Sequence, residues 1–192
     1  MEDYPMTVGV LALQGDFAEH CTVLHSLNVE TKEVRTPEDL AACSHLIIPG
    51  GESTVMGKLL TSSGIRDPLI QRANAGDLAI FGTCAGAILL AKEIEGKNAP
   101  EGLGLMDITV DRNAYGTQLH SFEAEIAIEG IGSVPVAFIR APKITRVGNG
   151  VDILASYEGM PVLVRQGRCI ASTCHPEVRG EAALHRYFLD MQ

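Results

Sequence analysis

The chain has 192 residues, of which 46% are hydrophobic and 20% charged, so it is long and apolar enough to bury one full core. Its formal net charge of −9 argues against nucleic acid or an anionic membrane surface as the main partner. It has no apolar run near the roughly 20 residues of a membrane span and no signal-peptide pattern at its start, so we expect residues 1–192 to form one cytoplasmic domain.

The first part of the chain alternates short apolar strands with helical patterns. The predicted strands are Thr7–Leu13, Glu30–Arg35, His45–Pro49 and Leu78–Gly82. The predicted helices are Phe17–Leu27, a short one capped by Thr36 that runs through Cys43, one from Ser53 or Thr54 to Leu60, Ile65–Ala75, and Ala85–Ile94. This alternation predicts a parallel sheet that is covered on both faces.

After residue 105 the pattern is mostly strand-like. The predicted strands are Ile108–Val110, Ala124–Ile128, Val134–Ile139, Ile153–Tyr157, Pro161–Arg165 and Cys169–Thr173. The turn Gln166-Gly167 between the last two predicts an antiparallel hairpin, and a final helix is predicted over Glu181–Met191. We therefore expect a single α/β domain with a mixed, mainly parallel sheet.

Four segments are predicted to meet at one edge of this sheet. Gln14-Gly15, the run Gly50-Gly51-Glu52-Ser53 and Cys84 each follow a strand, and the strand Cys169–Thr173 leads to His175. Ligands of open α/β sheets bind beyond the carboxyl ends of the strands. This edge is therefore the predicted functional site.

Cys84 stands in a G-x-C-x-G turn between a strand and a helix. This turn is the thiol counterpart of the G-x-S-x-G nucleophile elbow, and Gly82 and Gly86 supply the small neighbours that such a turn needs. A helix N-terminus favours a thiolate, and the N–H of Ala85 is placed to stabilise an oxyanion. The Gly50-Gly51 turn is a candidate for the second oxyanion N–H.

His175 and Glu177 are the predicted proton-transfer pair. Pro176 separates them, and residues two apart in an extended chain lie on the same side, so the carboxylate can orient the imidazole. A thiol, an imidazole and a carboxylate are the groups that nucleophilic acyl transfer requires. The other four cysteines, 21, 43, 169 and 174, show no metal-ligand spacing and are predicted to be reduced thiols, as the core residues of a cytosolic protein usually are.

Over nearly its whole length the chain resembles the class I glutamine amidotransferases, through Gly82-Thr83-Cys84-Ala85-Gly86 and His175-Pro176-Glu177. Within that class it resembles the glutaminase subunits of pyridoxal 5′-phosphate synthases. Four runs carry this second resemblance: 9–15 (GVLALQG), 49–54 (PGGEST), 112–116 (RNAYG) and 138–142 (FIRAP).

The resemblance implies a flavodoxin-like three-layer sandwich and the hydrolysis of L-glutamine to glutamate and ammonia, with no cofactor and no metal. It implies that Cys84, His175 and Glu177 form a catalytic triad and that Gly51 and Ala85 form the oxyanion hole. The residues that it implies for L-glutamine binding are Gly51, Glu52, Ser53, Arg112, Ile139 and Arg140. An Arg guanidinium suits the α-carboxylate of glutamine, and Glu52 suits its α-ammonium group.

The resemblance also implies a partner, because ammonia released into water becomes unreactive ammonium. This partner is a (β/α)8-barrel synthase subunit that makes pyridoxal 5′-phosphate and docks in a large ring of roughly twelve copies of each chain.

The chain departs from the family pattern at two positions. Thr117 follows the RNAYG run where a basic residue is usual, and Cys174 replaces the usual Phe before His175.

Three other interpretations remain open at this stage. One is a glutaminase that serves another synthase, such as that of histidine biosynthesis. A redox-sensing or regulatory module would need the Cys84 thiol but neither His175 nor Glu177. A cysteine peptidase would need an open cleft for peptide amides, whereas the charged pocket inferred from Glu52 and Arg112 favours a free amino acid.

Overall fold

A computed structural model describes residues 6–113 and 121–191. Its first part is made of β1 (Val8–Leu11), α1 (Phe17–Ser26), β2 (Thr31–Val34), α2 (Pro37–Ala41), β3 (His45–Ile48), α3 (Ser53–Ser62), α4 (Arg66–Ala75), β4 (Ala79–Thr83) and α5 (Ala85–Leu90). Its second part is made of β5 (Ala91–Glu95), β6 (Met106–Asp111), β7 (Ser121–Ile128), β8 (Gly132–Ile139), β9 (Lys143–Val147), β10 (Asp152–Tyr157), β11 (Met160–Gln166), β12 (Cys169–Ser172), a 3₁₀ turn (Glu177–Arg179) and α6 (Ala183–Leu189).

The central sheet has seven strands in the order β10-β11-β12-β4-β3-β1-β2. Pairing is parallel from β12 through β2 and antiparallel among β10, β11 and β12. The predicted mixed, mainly parallel sheet is therefore confirmed, and so is the hairpin of the last two strands. Its turn contains Gly167 at a φ of +56°, a conformation that glycine adopts without strain.

Both faces of this sheet are covered, because successive side chains of a strand point to opposite faces. In β3, Leu46 and Ile48 pack into an apolar cluster with α3, α4 and α5. Ile47 packs into a second cluster with α1, α6 and the β7–β8 hairpin. All three side chains are fully buried, which contributes about 1.5–3 kcal/mol each. The predicted three-layer sandwich is confirmed.

The predicted helix Ala85–Ile94 is wrong in its second half. Helix α5 ends at Leu90, and Ala91 turns to extended backbone with φ −64° and ψ +145°. From there β5 pairs in parallel with β6 in a separate three-stranded sheet. The stretch after Ala91 carries charges at helical spacing, but tertiary pairing with β6 overrides that local preference.

Strand β9 has no counterpart among the predicted elements. It pairs antiparallel with β6, yet only Ile144 of its five residues is buried, so its apolar alternation is weak.

The cap of α2 is confirmed, since Thr36 Oγ1 accepts a hydrogen bond from the Asp39 N–H at 3.2 Å. Within residues 6–113 and 121–191, none of the helices combines the length and the apolar character that crossing a membrane requires.

Candidate active site

Cys84 lies between the last residue of β4 and the first residue of α5. Its backbone is strained, with φ +47° and ψ −100°, in a region that residues with a Cβ rarely adopt. The Cys84 N–H donates to the Ser172 carbonyl at 2.8 Å, which ties the turn to the end of β12. The side chain is almost buried, and its Sγ lies 3.9 Å from the Ile139 carbonyl oxygen.

The two glycines of the G-x-C-x-G run are required by packing. A Cβ on Gly82 would lie 2.6 Å from the backbone of Gly86, and a Cβ on Gly86 would overlap the Ile48 carbonyl. Without side chains at both positions, α5 starts directly against the ends of β3 and β4. The thiol is thereby placed at the carboxyl edge of the sheet.

His175 is held next to this edge by the β7–β8 hairpin. Its N–H donates to the Ala137 carbonyl at 2.8 Å, and its carbonyl accepts from the Ala137 N–H at 3.3 Å. Its Nδ1 is 2.7 Å from Glu177 Oε1, and both side chains are buried. The reason given from sequence for this pairing is wrong, because Pro176 adopts helical rather than extended backbone and leads into the 3₁₀ turn.

The electrostatic surroundings of His175 favour its protonated form. Burial by itself would lower the pKa, but interactions with Cys84 and Glu177 outweigh burial and raise the pKa of His175 to about 10. Its Nε2 is buried and has no hydrogen-bond partner among the described residues. Cys84 and His175 line the same cavity, which suits a thiolate–imidazolium pair.

The Gly50-Gly51 turn closes over the imidazole. A Cβ on Gly50 would overlap His175 Cε1, and Gly51 has a φ of +151° with Gln14 packed against it. The Gly50 carbonyl accepts a hydrogen bond from the Asp16 N–H at 3.1 Å. Of the four segments predicted at the sheet edge, the Gly50-Gly51 turn lies against His175, Gln14-Gly15 lies against that turn, and Cys84 shares a cavity with His175.

The cavity measures about 290 Å³, which is at the small end of ordinary ligand sites. Its lining residues are Asp16, Gly51, Glu52, Ser53, Cys84, Ile88, Arg112, Asn113, Ile139, Arg140 and His175. This lining includes every residue that the family resemblance implied for glutamine binding. Arg140 enters it from a strained backbone with φ +46°. Residues 114–116 of the RNAYG run, and Thr117 after it, lie outside the described residues.

Glu52 and Arg112 contact each other across the cavity. Glu52 caps α3, where its Oε1 and Oε2 accept from the N–H groups of Thr54 and Val55 at 3.0 and 2.8 Å. Burial by itself would raise the pKa of Glu52, but these hydrogen bonds and the Arg112 charge outweigh burial and lower that pKa. Arg112 donates to Thr54 Oγ1 at 2.8 Å and lies 3.4 Å from Glu52 Oε1.

Sequence reasoning missed Asp16. Its Oδ2 is 3.8 Å from His175 Nδ1, and its side chain is 44% exposed, so it presents a negative charge at the cavity mouth. Its position two residues after Gln14, directly before α1, is the signal that could have identified it. Asp16, His175 and Glu177 each offer one ligand atom within 4.8 Å of the others. Within this cluster, Nδ1 of His175 pairs with Glu177 at 2.7 Å and lies farther from Asp16.

Cys174 is fully buried beside His175 but does not line the cavity. Burial raises the pKa of its thiol to about 12, so it remains protonated at neutral pH. Its Sγ lies 3.2 Å from Ser172 Oγ.

The chain is similar to proteins of one known family over nearly its whole length. The model of the SNO glutamine amidotransferase family matches residues 10–192. The pyridoxal 5′-phosphate synthase subunit PdxT of a Thermus thermophilus strain is 53% identical over 184 residues, covering 96% of both chains. The subunit PdxT of Pelotomaculum thermopropionicum is 52% identical over 187 residues, covering 96% of this chain and 94% of that protein.

Solved structures show the same relationship. A crystal structure of a glutamine amidotransferase has 53% sequence identity and a TM-score of 0.92, with 96% of this chain and 97% of that chain covered. The structure of PurLQS from Thermotoga maritima matches with a TM-score of 0.74 over 97% of this chain and 98% of that chain. At 14% identity, the second match shows a shared fold and nothing further.

Proposed function

The chain belongs to the SNO glutamine amidotransferase family, and from that premise we propose that it is the glutaminase subunit of a pyridoxal 5′-phosphate synthase. It hydrolyses L-glutamine to glutamate and ammonia. The observation that carries this proposal is the strained Cys84 elbow, which shares a charged cavity with the hydrogen-bonded pair His175 and Glu177. Cys84, His175 and Glu177 are its catalytic triad.

In the first half-reaction the Cys84 thiolate attacks the carboxamide carbon of the glutamine side chain. The oxyanion that forms accepts hydrogen bonds from the Ala85 and Gly51 N–H groups. Ala85 is the first residue of α5, so its N–H has no acceptor within that helix. His175, oriented by Glu177, gives its proton to the departing nitrogen, the C–N bond breaks, and a γ-glutamyl thioester and ammonia result.

In the second half-reaction water replaces ammonia. His175, now neutral, takes a proton from water as the oxygen attacks the thioester carbon. The C–S bond then breaks, releasing glutamate and restoring the Cys84 thiolate beside a protonated His175. Electrons and protons balance within these steps, so the reaction needs neither a metal nor an organic cofactor.

Glutamine binding uses the charged lining of the cavity. The Arg112 guanidinium binds the α-carboxylate, and Glu52 with the nearby Asp16 balances the α-ammonium group. Ser53, Ile139 and Arg140 complete the walls beside Gly51. Because Arg112 is already held by Thr54 and Asn98 through one nitrogen, its second terminal nitrogen, only 3.4 Å from Glu52, is the group that turns to the substrate.

Replacing Arg112 by Gln is expected to raise the KM for glutamine about 10- to 100-fold, because a charge-assisted contact with the α-carboxylate is lost. The kcat should change less, since Arg112 does not touch the reacting amide. Steady-state glutamate release with varied glutamine measures both values. Arg146→Gln is the matched control, because Arg146 pairs with Asp107 in the neighbouring sheet and does not line the cavity. A KM for Arg112→Gln within threefold of that control would contradict the assigned role.

Ammonia must reach its acceptor before it is protonated, so the glutaminase acts with a (β/α)8-barrel synthase subunit in a large hetero-oligomer. Docking activates it. In the free chain the Gly50 carbonyl is bonded to the Asp16 N–H, and a reorientation of the Gly50–Gly51 peptide completes the oxyanion hole. The lack of side chains at both positions keeps that reorientation sterically cheap.

A glutamine-mimicking electrophile tests the proposal with and without the barrel subunit. We expect mass spectrometry to find covalent modification at Cys84 alone, and glutamate release to rise clearly when the barrel subunit is added. If the barrel subunit left the rate of glutamine hydrolysis unchanged and the histidine-biosynthesis synthase raised it, the chain would be the glutaminase of that other synthase. Modification at Cys174, or Cys84 reactivity unaffected by His175→Ala, would overturn the triad in favour of a sensor.

A further inference from the structure

A chain of buried polar side chains continues from Glu177 into the protein interior. It consists of His20 on α1, Thr83 at the end of β4 and His185 on α6, and all three are fully buried. They lie in the layer where α1 and α6 otherwise pack through apolar side chains. Polar groups in such surroundings cost free energy unless they are hydrogen-bonded, so their presence calls for an explanation.

The distances place His20 at the centre of this chain. Its Nε2 is 3.1 Å from Thr83 Oγ1 and 3.6 Å from Glu177 Oε1, the oxygen that also holds His175. Its Nδ1 is 3.0 Å from His185 Nε2. His20 therefore lies beside the same carboxylate oxygen of the proposed triad that His175 contacts. It has no contact with the cavity itself.

Both imidazoles are neutral at physiological pH. Burial, together with the nearby His185 and His175, lowers the pKa of His20 well below its usual range. Burial lowers the pKa of His185 to about 4, against an opposing contribution from the Glu181 carbonyl. A neutral imidazole donates through one nitrogen only, so the position of one proton decides what His20 does for Glu177.

The hydrogen-bond pattern favours one tautomer. Nε2 of His20 faces the Glu177 carboxylate, which attracts an N–H and repels a lone pair, and the Thr83 hydroxyl beside it can act as an acceptor. The proton of His20 therefore lies on Nε2, where it points toward Thr83 and Glu177. Nδ1 of His20 then carries a lone pair, which accepts a hydrogen bond from Nε2 of His185.

The geometry points to His20 as a positioning residue for Glu177, with His185 as the partner of its other ring nitrogen. This inference rests on the proposed triad. His20 neither touches substrate nor transfers a proton to it. It keeps the Glu177 carboxylate aimed at Nδ1 of His175, which in turn stabilises the imidazolium that accompanies the Cys84 thiolate. The other titratable groups around this set are Asp16 and Cys174.

Two substitutions of His20 distinguish a role in positioning Glu177 from a role in packing alone. The amide nitrogen of His20→Gln can reach the place of Nε2 and keep the donor toward Glu177. The amide of His20→Asn reaches only the place of Nδ1, so it keeps the contact with His185 and loses that donor. The readout is the rate of Cys84 alkylation by iodoacetamide against pH, resolved by peptide mass spectrometry. This measurement requires neither glutamine nor the barrel subunit. Its result therefore does not depend on whether the protein hydrolyses glutamine as proposed.

We expect His20→Asn to slow alkylation of Cys84 about tenfold at pH 7, where the imidazolium supports the thiolate, and to leave the rate at pH 10.5 nearly unchanged. His20→Gln should return the rate at pH 7 to within about threefold of wild type. Identical pH profiles for wild type and both variants would reduce His20 to a packing residue. Equal slowing in both variants at every pH would do the same.

A measurement on the wild-type chain covers the case in which both variants fail to fold. Nitrogen-15 chemical shifts of labelled histidines report which ring nitrogen carries the proton. We expect His20 to be protonated on Nε2 and bare on Nδ1 at pH 7. The opposite tautomer would direct a lone pair at the carboxylate and would overturn the inference, whatever the glutaminase activity of the protein.

Discussion

Cys84→Ala is expected to lower the kcat for glutamine hydrolysis, measured with the barrel subunit present, by at least about 10³-fold. The reason is that every covalent step of the proposed reaction passes through this sulfur. Binding should persist, because the charged lining of the cavity is untouched. Glutamate release measures the first effect, and calorimetric titration of the variant with glutamine measures the second.

Cys174→Ala is the matched control for that experiment. Both thiols are buried near His175, but Cys174 is outside the cavity and its raised pKa keeps it protonated. We expect its kcat to stay within about threefold of wild type. If Cys174→Ala abolished turnover and Cys84→Ala did not, the nucleophile would have been assigned to the wrong cysteine.

The double variant Cys84→Ala/His175→Ala tests whether the thiol and the imidazole act as one catalytic unit. Groups that act as one unit lose their joint contribution when either is removed, so the second substitution should cost little more. Two independent roles would instead multiply the two losses. If the two losses in kcat multiply, His175 and Cys84 do not act in the same catalytic step, even though both line one cavity.

The segments at the sheet edge could be predicted because each carries a strong local signal. Cys84 lies between glycines that only a tight strand–helix turn requires, and Gly50-Gly51 follows an uninterrupted apolar strand. Parallel strands place their carboxyl ends together, so correct strand predictions were enough to group these segments. The strand lengths, in contrast, were less accurate, as β1 is three residues shorter than predicted.

Features that depend on contacts distant in sequence could not be predicted. Strand β5 is formed by pairing with β6, while its own charge spacing favours a helix. The contact between Glu52 and Arg112 joins residues 60 positions apart, and that between His20 and His185 spans 165 positions. No periodicity reports such pairs, because helical and strand patterns describe only near neighbours.

Gly50→Ala is expected to lower kcat/KM for glutamine about 100-fold without unfolding the protein. A methyl group at this position would overlap His175 Cε1 and also lie 2.9 Å from Asp16 Oδ2. The imidazole must then shift, and a displacement of about 1 Å between a nucleophile and its base is enough for a loss of this size. The backbone of Gly50 lies outside the left-handed region, so alanine itself introduces no φ strain there.

Gly57→Ala is the matched control for this steric effect. Gly57 is likewise buried and free of positive φ, but it lies within α3, where the nearest atom to the added Cβ would be Pro100 Cβ at 3.2 Å. Alanine also favours a helix interior by up to about 1 kcal/mol over glycine. Circular dichroism and thermal unfolding of both variants establish that they fold. If a folded Gly50→Ala matched Gly57→Ala in kcat/KM, the contact between the glycine turn and His175 would not limit catalysis, and the oxyanion role of the turn would need other support.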